Sequence, residues 1–174
     1  MGYLELASNK EKTIDKAEEY YNSIRANIQF SGSDIKVIAL TSVHPKEGKS
    51  TTTMSLAVSF ARAGYRTLLV DADMRNSVMM GSFKPDGPVK GLTDFLSGHA
   101  DLQTTISRTS VANLTMIPSG QVPPNPTALF QSDNFKRMIE AAESLQPAFI
   151  ALLGSPVPMV IGTDYDGIAS EVEE

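Results

Sequence analysis

KVIALTSVHPKEGKSTTTMSLAVSFARAGYRTLLVDADMR, residues 36–75, decides the fold. Lys36 to Thr41 is a short apolar run carrying Val37 and Ile38, the length of one buried strand. Ser42 to Ser50 then forms a loop, and Thr51 to Ala63 suits a helix. Gly64 stands where a glycine just past a helix end takes the left-handed conformation. A second apolar run, Thr67 to Val70, ends in Asp71-Ala72-Asp73-Met74-Arg75. Strand, loop, helix, strand and acidic tip make one βαβ unit, with its functional groups at the carboxyl ends of the strands.

The junction Gly48-Lys49-Ser50 has the chemistry of a phosphate site. A helix N-terminus presents unpaired N–H groups and a partial positive charge. Gly48 lets the backbone approach phosphate oxygens, Lys49 reaches the β- and γ-phosphates, and the Ser50 hydroxyl suits Mg²⁺. The candidate nucleotide contacts are therefore Pro45, Lys46, Glu47, Gly48, Lys49, Ser50 and Thr51. Gly-Lys-Ser also occurs in ordinary loops that enter a helix, and Val43 stands five residues before Gly48, where the usual pattern has glycine. The flanking strand, the helix and the acidic tip together favour the phosphate reading. Carboxylates at a strand end beside such a loop hold a metal, directly or through its waters, and orient or deprotonate a hydroxyl. Lys49, Asp71 and Asp73 are the candidate catalytic residues, and Ser50 and Asp71 the candidate metal ligands.

TSVHPKEGKSTTT followed by LLVDADMRNS resembles the bacterial tyrosine kinases of capsule and exopolysaccharide synthesis. That family carries a Walker A ending in Gly-Lys-Ser/Thr, and a Walker A′ of three apolar residues followed by Asp-x-Asp-x-Arg. Leu68 to Arg75 fits the second pattern without a mismatch. The resemblance implies an α/β P-loop NTPase of the MinD/ParA-like type, with a mostly parallel sheet flanked by helices and incomplete at its C-terminal end. It implies ATP and Mg²⁺ as cofactors and tyrosine autophosphorylation as the activity. It also implies a membrane-embedded polysaccharide chain-length regulator, which activates a cytoplasmic kinase and recruits it to the membrane.

Size and composition set the remaining bounds. At 174 residues the chain is one domain, able to bury roughly 70% of its unfolded surface. It has no cysteine, so neither a disulfide framework nor a thiolate metal site is available. The first residues lack the apolar core of a signal peptide, and Ala148 to Ile161 is too short and proline-rich to span a bilayer. A formal net charge of −5 argues against nucleic acid as a partner.

In chain order, residues 1–12 read as a flexible lead-in, 13–153 as the P-loop kinase domain, and 154–174 as a divergent tail. Within the domain, 13–29 reads as one amphipathic helix, with Ile14, Ala17, Tyr21, Ile24 and Ile28 along a single stripe. Relatives often carry Glu-x-x-Arg-x-x-Arg here, which helps subunits form a ring. This chain has Glu19, Asn22 and Arg25, so a homo-oligomer through Glu19 and Arg25 is expected to be weakened at Asn22. Asn76 to Val89 reads as a loop with at most a short helix, and Gly91 to Gly98 as a short helix closed by glycine. Asn113 to Ile117 reads as a strand running into the proline-rich loop Pro118 to Pro126. A helix start at Ala128 to Ser132 and a helix over Asp133 to Leu145 follow, the latter with Phe135, Met138, Ile139 and Ala142 on one face.

Phe149 to Leu153 reads as a buried strand. Where the family's Walker B has Asp-Thr/Ala-Pro, Gly154-Ser155-Pro156 stands instead, and glycine ligates nothing. The family's tyrosine-rich tail finds no counterpart, Tyr165 between Asp164 and Asp166 being the one tyrosine in that region. Three functions follow from these residues. They are a tyrosine autokinase impaired at position 154, a non-catalytic nucleotide-binding remnant, and a partitioning ATPase of the same fold. The last is disfavoured by His44-Pro45-Lys46 in place of Lys-Gly-Gly.

Overall fold

The computed structural model describes residues 2–32, 35–42, 44, 46–144 and 149–153. Its centre is the βαβ unit expected from residues 36–75: β2 (Val37–Leu40), α3 (Lys49–Arg62) and β3 (Thr67–Asp71). Every residue of β3 is buried, as a strand covered on both faces requires. Alternation then sorts its side chains. Leu69 joins a cluster with Met54, Ala57, Val58 and Ala61 of α3, whereas Leu68 and Val70 face the opposite layer with Leu92, Leu96 and Met138.

Among the described residues, seven strands form one sheet in the order β2-β7-β3-β6-β5-β1-β4. The outer strands are β1 (Tyr3–Leu6), β4 (Phe83–Pro85) and β5 (Ser107–Thr109), and β6 (Leu114–Ile117) and β7 (Phe149–Leu153) flank β3. β7 runs parallel to both β2 and β3, and β3 parallel to β6; β1 is parallel to β5, and only the β1–β4 and β5–β6 pairings are antiparallel. Register aligns the carboxyl ends: Leu153 pairs with Leu40 on one side and with Asp71 on the other.

Helices α1 (Ser8–Lys16), α2 (Glu18–Ser31) and α3 build one layer. α3 is buried from Thr53 to Ala61 because it lies between the sheet and α2. Its Leu56 and Phe60 pack against Tyr21 and Ile28 of α2. Arg62 ties the layer together, lying 2.8 Å from Asp15, 3.4 Å from Glu18 and 3.9 Å from Glu11. The other layer holds α4 (Leu92–Leu96), α5 (Leu102–Thr105), α6 (Pro126–Phe130) and α7 (Asp133–Ser144). In it Phe130 and Phe135 meet edge to face, with ring centroids 5.2 Å apart.

Three expectations need correction. Residues 1–12 are not a lead-in: β1 pairs with β5 and β4, and Leu4 is fully buried. The single helix over 13–29 is two, α1 and α2, joined at Ala17. That break lets Ile14 pack on the sheet cluster while Tyr21 and Ile28 pack on α3. Finally, the segment 76–89, read as a loop with at most a short helix, holds strand β4 beside a 3₁₀ turn (Met79–Ser82). Pro85 fits there because β4 is an edge strand.

Candidate functional site

The phosphate loop is built by a change of handedness. Gly48 has φ +87°, a left-handed conformation that favours glycine, and it is the residue from which α3 departs. Lys46 is also left-handed, at φ +66°. No side chain caps the N-terminus of α3, and its first helical hydrogen bond runs from the Thr52 N–H to the Gly48 carbonyl at 2.8 Å. Uncapped N–H groups with the positive end of the helix dipole make an anion site in the form that phosphate needs.

Around this opening the polar side chains hold one another. Lys49 Nζ donates to Ser42 Oγ at 2.8 Å, and Ser42 Oγ donates to the His44 carbonyl at 2.8 Å. The His44 N–H donates to Glu47 Oε2 at 3.3 Å. Lys49 is thus folded back against the end of β2, within its own loop. Ser50 is half-buried and Thr51 exposed on the first turn of α3. Pro45, the remaining candidate contact, lies outside the described residues, as do Val43, Gly154 and Tyr165.

The acidic tip is asymmetric. Asp71 is wholly buried, Asp73 half-buried. Asp71 Oδ1 accepts from the Asp73 N–H at 3.2 Å, and Oδ2 accepts a short hydrogen bond from Ser77 Oγ. Burial pushes the Asp71 carboxyl up to about 6; hydrogen bonds from Ser77, the Asp73 backbone and Ser119 pull it down, and the Asp73 charge adds to the rise. Asp73 turns the other way, its Oδ1 accepting from the Asn76 N–H at 3.0 Å. Arg75 reaches Thr127 Oγ1 at 3.4 Å, joining the tip to the start of α6.

The donor set fits Mg²⁺ shared with a nucleotide. Mg²⁺ is commonly bound by one or two carboxylates, substrate phosphates and waters, not by a protein-only cage. Ser50 with Asp71 offers such a partial set, and among the described residues no group of three or more His, Asp or Glu side chains is gathered for a metal. A large cavity of about 1190 Å³ opens elsewhere, at the amino ends of β3 and β6 near Arg66 and Asn113. It lies at the far end of β3 from Asp71 and is not the phosphate site.

Glu19 and Arg25 are not brought together. Six positions apart on α2, they point about 120° away from each other. Glu19 is exposed, while Arg25 Nε donates to Ser59 Oγ at 3.1 Å and NH1 to Gln29 Oε1 at 3.2 Å. Asn22 faces the same serine, its Oδ1 accepting from Ser59 Oγ at 2.8 Å. The sequence reading missed Ser77 and Ser119, whose only signal is their place just beyond β3 and β6.

Comparison with known proteins matches residues 35–146 to the AAA domain family. Tyrosine-protein kinase CpsD of Streptococcus agalactiae is 52% identical over 161 residues, covering 92% of this chain and 70% of the relative. Among solved structures, the chimerical protein CapA2B2 superposes with a TM-score of 0.72 at 34% identity, covering 80% of this chain and 62% of that one. The septum site-determining protein MinD of Pyrococcus horikoshii, complexed with Mg-ADP, superposes with a TM-score of 0.55 at 26% identity, over 68% and 48% of the two chains.

Proposed function

The chain belongs to the bacterial tyrosine kinases of capsule and exopolysaccharide synthesis, and from that membership we propose that it is an ATP-dependent protein-tyrosine autokinase of capsular polysaccharide synthesis. The observation that carries the proposal is one edge of the sheet. The uncapped N-terminus of α3 follows β2, and the buried Asp71 ends β3, at the same end of the strands. The kinase relatives favour this reading over the partitioning ATPase and over the non-catalytic remnant.

The roles follow from charge. Phosphoryl transfer depends mostly on positioning and on stabilising charge spread over the transferred group. Lys49 and the N–H groups of Gly48 to Thr51 hold the phosphate oxygens, and Lys46 adds positive charge to the loop. The chemistry that Mg²⁺ supplies when bound is neutralisation of those oxygens, with Ser50 and Asp71 holding it and Asp73 supporting. Asp71 is deprotonated at neutral pH and, at the strand end beside the phosphate loop, is the candidate base for an acceptor tyrosine. The tyrosine oxygen bonds to the γ-phosphorus, its proton passes to Asp71, and ADP leaves with the electron pair of the broken bond.

Partner and location follow from membership. The family resemblance points to recruitment and activation by a membrane-embedded chain-length regulator; among the described residues no helix is long and apolar enough to cross a membrane. Self-association runs through α2, with Glu19 on its exposed face.

The test is transfer from Mg-ATP to a tyrosine-containing acceptor peptide in the presence of the activator fragment, read by mass spectrometry. Gly154 stands where the family places aspartate, so the parent chain is expected to turn over weakly. Gly154→Asp should turn over at least about tenfold faster, a change of about 1.4 kcal/mol in the barrier. Adding Asp71→Ala should abolish the gain. Phosphotyrosine that persists in Gly154→Asp/Asp71→Ala would overturn the assignment of Asp71.

A further inference from the structure

Asp71 is fixed from two sides. Residues 72–77 fold back over the end of β3, with the Met74 N–H on the Ala72 carbonyl at 3.0 Å and the Asn76 N–H on Asp73 Oδ1 at 3.0 Å. That turn brings the Ser77 hydroxyl onto Oδ2 of Asp71, while the Asp73 N–H occupies Oδ1. On the other side lies buried Ser119, in the loop that follows β6, the strand paired with β3, and its hydroxyl favours the charged carboxylate. Its loop has little freedom. The Pro118 carbonyl accepts from the Leu92 N–H at 2.7 Å, and the Ser119 carbonyl accepts from the Thr93 N–H at 3.0 Å and Thr93 Oγ1 at 2.8 Å. A Cβ at Gly91 would fall 2.3 Å from the Gly120 nitrogen, so glycine is required for this approach.

A carboxylate oxygen has two lone-pair sites, so one bond to each oxygen leaves acceptor capacity for a metal-bound water. With both oxygens engaged, the carboxylate also cannot rotate freely, and no ordering is left to be done when Mg-nucleotide arrives. We infer that Ser77 is a positioning residue, which with the Asp73 N–H holds the Asp71 carboxylate in the orientation that serves Mg²⁺-nucleotide, while the Gly91–Gly120 contact braces the loop of Ser119 beside it. The inference rests on the reading of Asp71 as the residue that organises the metal.

The test is ADP binding to the full chain by calorimetry, once in excess Mg²⁺ and once in EDTA. The ratio of the two affinities isolates what the metal adds. Ser77→Thr keeps the hydroxyl and adds a methyl group, and Ser77→Val matches that shape with the hydroxyl replaced by a second methyl. Ser77→Val should lower the ratio about tenfold with the EDTA affinity within about twofold of the parent, whereas Ser77→Thr keeps the parent ratio. Ser77→Ala, which removes the hydroxyl without adding bulk, should shift the ratio in the same direction, and it stands in as the test if Ser77→Val fails to fold. Should Ser77→Val keep the ratio, or lose affinity equally with and without Mg²⁺, the serine is merely structural and the inference falls. The control is Asp71→Asn, which should remove the metal contribution altogether. If it does not, the reading of Asp71 itself fails, and the inference fails with it.

Discussion

Asp71 shows most sharply what a motif conceals. The pattern Asp-x-Asp-x-Arg identifies the residue, but its burial depends on β6, β7 and Ser119, which lie far along the chain. The sequence therefore made both aspartates candidates and could not separate a buried, clamped Asp71 from a half-buried Asp73. The separation has a thermodynamic sign. A carboxyl raised to about 6 from an ordinary 3.8 binds its proton more tightly folded than unfolded. The folded chain therefore loses stability as pH rises from about 4 through 6, and the penalty stays above that. Its full size is about 3 kcal/mol. Thermal or urea unfolding at pH 5 and pH 8 should show Asp71→Asn gaining stability over the parent at pH 8 and less at pH 5. An equal difference at both values would contradict the raised carboxyl. In the same window Mg²⁺-dependent nucleotide affinity should rise with pH.

Among the elements, those resting on local pattern were legible and those resting on distant pairing were not. α3, β3, β6, α4 and α7 carry an apolar run, an amphipathic face or a closing glycine, and all lie near where the sequence put them. β7 was also foreseen, from five consecutive apolar residues. β1 was not, although Tyr3-Leu4-Glu5-Leu6 alternates and its burial alternates with it. Unlike β6 it has no β-branched residue and Glu5 interrupts it, and the partners of β1 lie about eighty and one hundred residues away, at β4 and β5. The break at Ala17 escaped for a similar reason: no proline or glycine marks it, and the packing of α1 and α2 on different neighbours makes it. Leu4 tests the element directly. Leu4→Ala should cost about 3 kcal/mol in urea unfolding, as deletions in a tight core do. A cost below about 0.5 kcal/mol, the surface level, would return residues 3–6 to the status of a lead-in.

At the scale of the whole molecule, the sheet separates two duties. Its carboxyl edge gathers the phosphate loop and Asp71, while the α1–α2–α3 layer carries the surface we propose for self-association. Asn22 and Arg25 both lean on Ser59, so α2 is committed to α3 along that face. Asn22→Arg gives up one of these contacts and adds a cation to the helix. Sedimentation should show more self-association for the variant, and no gain would count against α2 as the interface. The central claim, that Gly48 to Ser50 bind the phosphates of Mg-ATP or Mg-ADP, is tested most directly by calorimetric titration of Mg-ADP into the parent chain and into Lys49→Ala. Loss of the cation facing the phosphates should weaken binding at least about tenfold, or 1.4 kcal/mol, without shifting the unfolding midpoint. Equal affinity in the two proteins would contradict the account.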